Sequence, residues 1–227
     1  MMKNWNDLPA YMQNDEVRPY YDLLRKKRVA LFMKRLFDVV LALLLLVLLA
    51  IPMIVIAVMI AIDSPGGVFY RQERVTTYGK HFRIFKFRTM VSNADKVGAH
   101  VTTNNDSRIT KIGAKLRGAR LDEIPQLFNV LTGDMSFVGT RPEAVRYVEK
   151  YSGAMWATLL LPAGITSEAS ILYKDEAELL DNAEDADKVY VEQVLPAKME
   201  YNLKSMREFS LRNDVRTMIR TVGAVLR

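Results

Sequence analysis

Cysteine is absent from all 227 residues. Disulfides, thiolate zinc sites and a cysteine nucleophile are therefore excluded, and the absence fits a reducing compartment. Histidine is nearly as scarce, and His81 and His100 stand too far apart in sequence to suggest a metal pair. The chain has no glycine-rich phosphate loop, no internal repeat and no low-complexity tract. Nor does a recognised nucleic-acid motif accompany the net charge of +6, so no nucleic acid is expected as a partner. A basic surface of this kind is expected to meet anionic lipid headgroups and phosphorylated substrates.

What is present in excess is a run of apolar residues. Residues 39–62 carry no charge and are interrupted only by Pro52. A hydrocarbon core of about 30 Å takes roughly 20 apolar residues as a helix, so the run is long enough to cross. A single span is the generic reading of such a segment. Two features argue instead for a hairpin that dips into the bilayer and returns. Pro52 removes one backbone donor and clashes with the preceding turn, so it breaks or kinks the helix. Both flanks are also basic: Arg25, Lys26, Lys27, Arg28, Lys34 and Arg35 before, and Arg71, Arg74, Lys80 and Arg83 after. Positive charge marks the cytoplasmic side of a span, and a re-entrant helix keeps both clusters there. A buried core helix fits poorly, because the run is apolar all round. A signal peptide fits worse, because the run is long, starts late and precedes no small-residue cleavage site.

The remaining sequence divides around this anchor. Residues 1–14 are polar and unpatterned, and are expected to be poorly ordered. Residues 16–32 read as a basic amphipathic helix in the headgroup region, with Tyr20, Leu23, Leu24 and Leu31 opposite the basic residues. The expected units are residues 1–33 as tail and basic helix, 34–63 as the re-entrant helix broken at Pro52, and 64–227 as a cytosolic catalytic domain. Within the last, residues 68–70 and 81–90 read as short strands. Residues 91–106 read as helix then loop, and 111–120 and 125–131 as short helices. Residues 137–142 read as a strand or turn and 143–151 as a helix, with a break at Pro162-Ala163-Gly164. Residues 175–187 read as an acidic helix and 187–209 as a helix interrupted at Pro196. Residues 214–227 are the most periodic segment, with Val215, Met218, Ile219, Val222, Val225 and Leu226 on one stripe. That stripe is either core-packed or a second surface anchor. The fold class is α/β but mostly helical, with surface amphipathic helices.

The sharpest chemical feature is Asp122-Glu123, adjacent carboxylates just ahead of a short helix started by Pro125, with Arg117 and Arg120 within five residues. Carboxylates beside a helix N-terminus and cationic side chains are expected to stay ionised at neutral pH. An ionised carboxylate can be nucleophile, metal ligand or general base. The plain alternative is an N-terminal helix signature and nothing more. Lys86, Arg88, Arg117, Arg120 and Arg141 form a scatter of cations near turns, either phosphate contacts or a solvated basic surface.

Five ordered motifs carry a resemblance. They are Lys34-Arg35-Leu36-Phe37-Asp38; Phe85-Lys86-Phe87-Arg88-Thr89-Met90; Asn105-Asp106-Ser107-Arg108-Ile109-Thr110-Lys111-Ile112-Gly113; Leu121-Asp122-Glu123-Ile124-Pro125-Gln126-Leu127-Phe128-Asn129-Val130-Leu131; and Gly133-Asp134-Met135-Ser136-Phe137-Val138-Gly139-Thr140-Arg141-Pro142. From about Lys34 onward the chain resembles the bacterial monotopic phosphoglycosyl transferases, also called bacterial sugar transferases. The resemblance implies an enzyme that moves a phosphosugar from a UDP-sugar to polyprenyl phosphate and releases UMP. It implies an Asp-Glu dyad with magnesium, here Asp122 and Glu123, Asp122 being the nucleophile. It makes Arg117 and Arg141 phosphate clamps, with Lys86 and Arg88 as further contacts. It also implies membrane lipids as partners, room for a homo-oligomer, and a catalytic unit on the cytoplasmic face of the bacterial inner membrane with both termini on that side. The chain departs from the family pattern at Ile51, where serine often precedes the proline, and at Thr140, where proline often precedes the arginine. The competing reading is an inactive membrane-surface scaffold that binds sugar nucleotides.

Overall fold

The computed structural model describes residues 2–94, 106–173 and 185–225. The polar loop at Asn104-Asn105 and most of the acidic segment over 175–187 lie outside them, as does the greater part of the helix-then-loop expected over 91–106.

Residues 2–14 depart from expectation. Two short 3-10 turns, Trp5–Asp7 and Ala10–Met12, dock onto the body, with Leu8 and Met12 buried. Helix α1 (Arg18–Lys26) follows and turns Tyr20, Tyr21 and Leu24 into the largest core cluster. Its apolar stripe is therefore covered by protein, which corrects the headgroup-bound helix expected here. The partners are Tyr147, Val148, Leu160, Tyr190, Val194, Leu195 and Met199, spread over the second half of the chain. Such long-range partners cannot be read from local periodicity.

The apolar run forms α2 (Arg28–Leu48) and α3 (Ala50–Asp63), bent by 62° at Leu49. The break lies upstream of Pro52, which was expected to mark it. Proline lacks the N–H that would reach Leu48, and its ring crowds the carbonyl four residues back, so the helix gives way one turn earlier. Leu49 still donates to Leu45 O (2.8 Å), and Met53 donates to Leu49 O (2.8 Å), so the ladder resumes at once. Among the described residues no single helix is long and apolar enough to cross a membrane.

Strands β1 (Phe69–Val75) and β2 (His81–Phe87) pair antiparallel, with Tyr70 opposite Lys86. Helices α4 (Lys111–Gly118) and α5 (Gln126–Thr132) flank the 3-10 turn Leu121–Glu123. Strand β3 (Met135–Val138) pairs parallel with β4 (Ala163–Thr166). β4 was expected only as a chain break, because its proline and glycine mask four extended residues. Gly139 and Gly164 face each other there, and a Cβ on Gly164 would collide with the Gly139 backbone. Helix α6 (Val145–Val148) is shorter than the expected 143–151, and α7 (Glu168–Leu172) follows β4. A helical turn, Ala186–Val189, runs through a π-helical turn, Tyr190–Val194, into α8 (Leu195–Arg207), so the expected long helix is present and its regular pattern is interrupted just before Pro196. Helix α9 (Leu211–Val225) closes the described chain.

Polar bolts hold α2 and α3 to the body. Arg35 donates to Val130 O (2.6 Å) and Leu131 O (2.9 Å), filling the open carbonyl end of α5. Lys34 Nζ lies 2.6 Å from Asp214 in α9 and 4.0 Å from Asp38. Asp38 in turn accepts from the Phe137 amide in β3 (3.3 Å). At the exit, Arg88 donates to Ser64 O (2.6 Å) and Pro65 O (2.9 Å), and Asp63 accepts from the Ile112 amide that opens α4 (3.1 Å). Ala42, Ile56 and Ile60 pack inward, whereas Val47, Leu48, Ile51, Ile54, Val58 and Ile62 face outward; Ile51 and Ile62 are 75% and 81% exposed. A continuous apolar surface of this kind marks an interaction site rather than ordinary exposure.

Arg35→Ala strips the α5 carbonyls of two charge-assisted bonds. It should lower unfolding free energy by about 2–4 kcal/mol, read as a drop in melting temperature in detergent or nanodiscs, while Arg28→Ala, on the exposed start of α2, should change little.

Candidate active site

Two sequence-distant elements, β2 and the turn after β3, converge on the turn that carries Asp122 and Glu123. The turn that carries them begins at Arg120, whose φ of +55° puts a non-glycine residue in the left-handed region. Such a residue costs roughly 1–2 kcal/mol. That reversal takes the chain from the end of α4 into the 3-10 turn, and Pro125 then starts α5 with its fixed φ of −63°. Asn129, buried in α5, locks this helix against β2. Its side-chain oxygen accepts from the Phe85 amide (2.8 Å), and its nitrogen donates to Arg83 O (3.0 Å). Lys86 follows on the same strand and reaches the dyad.

The two carboxylates have different surroundings. Glu123 Oε1 accepts from Lys86 Nζ (2.8 Å) and Arg141 NH2 (2.7 Å). Burial alone would push its carboxyl up, but Arg141 and Lys86 override this and hold it well below the usual carboxylate range. Asp122 is 7% exposed and forms no ion pair among the described residues. Burial pushes its carboxyl up, opposed by Lys86 and, less strongly, Arg117 and Arg120, while Glu123 adds to the rise. The two carboxyls thus shift in opposite directions. Glu123 is a fixed anion, and Asp122 is a desolvated carboxylate without a fixed partner. Desolvation raises the reactivity of an anion towards an electrophile, and adjacent groups with diverging pKa values mark divided chemical roles. Burial also lowers the Lys86 ammonium pKa, with Glu123 opposing that effect.

The other expected site residues fall into three groups. Arg141, on the turn after β3, joins the dyad directly. Arg117 and Arg120 act on Asp122 through space. Arg88 does not enter this cluster among its described contacts: it is buried and binds Ser64, Pro65 and Ser92 at the hairpin exit, so its expected role as a phosphate contact gives way to a structural one. Arg88 lies one residue past the end of β2, where the chain leaves the ribbon beside the exit of the helix pair. Asn129 was passed over as a site residue although it lies within the longest motif. Gln126 was passed over as well: it is 1% exposed, one turn from the dyad, and its Nε2 has no hydrogen-bond partner. Their signal in the sequence was only that of amides inside an otherwise apolar stretch.

The donor set can be tested against magnesium. Among the described residues no three His, Cys, Asp or Glu side chains cluster as a metal cage. Magnesium does not require one, since it commonly binds through one or two carboxylates together with substrate phosphates and water. Asp122 fits that requirement. Glu123 fits it less well, because its Oε1 already accepts from two cations.

Comparison with known proteins points the same way as the geometry. The bacterial sugar transferase family model matches residues 29–227. The chain is 34% identical over 199 residues to the UDP-N-acetylgalactosamine-undecaprenyl-phosphate N-acetylgalactosaminephosphotransferase of Aeromonas hydrophila, covering 86% of this chain and 44% of that protein. It is 37% identical over 216 residues to the UDP-glucose:undecaprenyl-phosphate glucose-1-phosphate transferase of Escherichia coli, covering 93% of this chain and 44% of that protein. A Caulobacter vibrioides protein of the same name is 35% identical over 196 residues, covering 85% of this chain and 69% of that protein. The chain thus spans less than half the length of the first two relatives.

Two adjacent substitutions should move stability in opposite directions. Asp122 has a raised folded-state pKa, so the folded form holds its proton longer than the unfolded form, and stability falls as pH rises through that window. Asp122→Asn should therefore raise the melting temperature at neutral pH, with a gain that grows as pH climbs from the ordinary carboxylate range and then levels off. Glu123 has a depressed folded-state pKa, so its contribution is present at neutral pH and lost on acidification. Glu123→Gln leaves Lys86 and Arg141 uncompensated and should cost about 3 kcal/mol, visible in the same thermal unfolding series.

Proposed function

The chain belongs to the bacterial sugar transferase family, and from that premise we propose that it transfers a phosphosugar from a UDP-sugar to polyprenyl phosphate with release of UMP. The single observation that carries this reading is the split dyad. One carboxylate is neutralised by two cations, and its neighbour is buried without a fixed partner. The relatives' names couple undecaprenyl phosphate to UDP-N-acetylgalactosamine or UDP-glucose, which supports the donor and acceptor classes.

In the proposed reaction an Asp122 carboxylate oxygen attacks the phosphorus bonded to the sugar. The bond to the bridging oxygen breaks, and UMP leaves with the electron pair. The aspartyl phosphosugar is then attacked at the same phosphorus by an oxygen of the polyprenyl phosphate, which returns the free carboxylate and yields a polyprenyl diphosphate sugar. Such two-step displacement is the usual pattern of covalent catalysis. Repulsion between an anionic nucleophile and a diphosphate is the main obstacle. Arg141 and Lys86, aimed by Glu123, and Arg117 and Arg120 beside Asp122 lower it by presenting positive charge to the phosphate oxygens. Magnesium, held by Asp122 with Glu123 beside it, would supply further charge neutralisation when bound.

The proposed setting is the cytoplasmic face of the bacterial inner membrane. Helix α3 has 14 residues, about 21 Å of helix, short of a hydrocarbon core of about 30 Å. The 62° bend, the outward apolar faces of α2 and α3 and the basic residues on both flanks support a helix pair that enters and returns. Val215, Ile219 and Val222 on α9 are exposed, whereas Met218 packs on the core. That arrangement favours the reading of α9 as a second bilayer contact, tied to α2 by the Lys34–Asp214 pair. The acceptor's phosphate sits at headgroup depth, so an anchor of this kind holds the dyad where its second substrate is.

Incubation with a panel of UDP-sugars, magnesium and undecaprenyl phosphate should release UMP, not UDP. Asp122→Asn should lose turnover by at least about 10³-fold and lose the phosphosugar adduct on the intact protein by mass spectrometry; normal turnover of that variant would rule out the covalent scheme. The scaffold reading predicts sugar-nucleotide binding with no UMP.

A further inference from the structure

Arg141 reaches Glu123 from a turn whose backbone is pinned on both sides. Gly139 donates to Thr166 O (3.1 Å), Gly164 donates to Thr140 O (2.8 Å), and Val75 in β1 donates to Glu143 O (3.1 Å). The side chain two residues beyond Arg141 is buried too. Glu143 is 8% exposed, and its Oε1 accepts from the Tyr190 hydroxyl (2.7 Å) and lies 3.5 Å from Lys198 Nζ. Lys198 and Tyr190 are 5% and 4% exposed and lie 3.1 Å apart at Nζ and the hydroxyl. Tyr190 comes from the π-helical turn ahead of α8, a local irregularity that often marks a functional position.

The charge pattern around this group runs through to the dyad. Arg74 in β1 is half-buried, and its desolvation disfavours its charge. Glu143 is the largest influence restoring that charge, and Arg141 opposes it. Arg141 and Glu143 lie two residues apart on the same turn, Arg141 paired with Glu123 and Glu143 with Tyr190 and Lys198, so the anchor on Glu143 bears on the segment that carries Arg141. A buried charge persists only when it is paired and hydrogen-bonded.

We infer that Glu143 is a positioning residue for Arg141. Anchored by Tyr190 and Lys198, its carboxylate fixes the turn, so that the Arg141 guanidinium stays aimed at the dyad and at the phosphates of the donor. The inference rests on the phosphosugar-transfer reading above, and neither Glu143 nor Tyr190 touches the reacting atoms in this account.

The test is a double-mutant cycle on the full chain in nanodiscs, with UMP release as the readout and the donor sugar that the wild type uses best. Glu143→Gln should raise the KM for the UDP-sugar about tenfold with a smaller change in kcat. In an Arg141→Ala background the same substitution should add little, because the residue it positions is gone. Purely structural damage would instead multiply the two effects, and that result overturns the inference. Should Glu143→Gln fail to fold, Tyr190→Phe removes one hydroxyl and keeps the ring. It should raise KM in the wild-type background and not in Arg141→Ala; an unchanged KM in both backgrounds overturns the inference equally. Absence of UMP release by the wild type with every donor would sink the underlying reading instead, and so is distinguishable from failure of this one.

Discussion

The apolar helix pair is fastened to the body by polar contacts, and the placement of everything else follows from that fastening. Three charged residues within one helical turn and a half each reach a different element: Lys34 reaches α9, Arg35 the end of α5, and Asp38 strand β3. Helix α5 carries the dyad's supporting end, and β3 leads directly into the Arg141 turn. The same helix that presents Val47 and Leu48 to its surroundings therefore sets the position of both halves of the site. Contacts of this kind are strong because each places a charged group against a backbone group or an opposite charge out of water. They convert a greasy segment into a fixed reference for the chemistry.

From this reference the site gains an internal division of labour. Glu123 spends its charge on aiming Lys86 and Arg141, while Asp122 is left desolvated beside it. Adjacent residues in a 3-10 turn point in different directions, and that is enough to give one of them two cations and the other none within bonding distance. The left-handed Arg120 makes the turn possible at an energetic cost that the packing of α4 and α5 must offset.

Much of this was legible in the sequence, and the misses have physical causes. The apolar run, the β1–β2 hairpin, α4, α5 and the dyad all carry local signals: periodicity, turn residues, a proline at a helix start. The bend was placed at Pro52 rather than Leu49 because proline acts on the turn before it, not on itself. The docking of residues 2–12 is not legible locally because Leu8 and Met12 join a core cluster drawn largely from residues 147–209, whereas the helix at α1 is where its pattern puts it. β4 is four residues long with a glycine inside, too short for any pattern to register. Lys86 and Arg88 look alike as basic residues two positions apart, and only the fold separates the one at Glu123, on β2, from the one just past β2 that binds Ser64 and Pro65. Glu143, Asn129 and Gln126 lie within or beside recognised motifs, but burial is what gives them meaning, and burial is not visible in one sequence.

The amide of Asn129 has an effect beyond orientation. A two-stranded ribbon leaves each outer margin with unsatisfied amides and carbonyls, and here the margin of β2 runs beside Phe69, Phe85 and Phe87. Bare main-chain groups next to aromatic side chains form a template on which a second chain can add as a strand. By bonding both Phe85 N–H and Arg83 C=O, the Asn129 side chain imitates a neighbouring strand and occupies the middle of that margin from a helix. A protein that already exposes the apolar faces of a helix pair thereby has one fewer route to self-association.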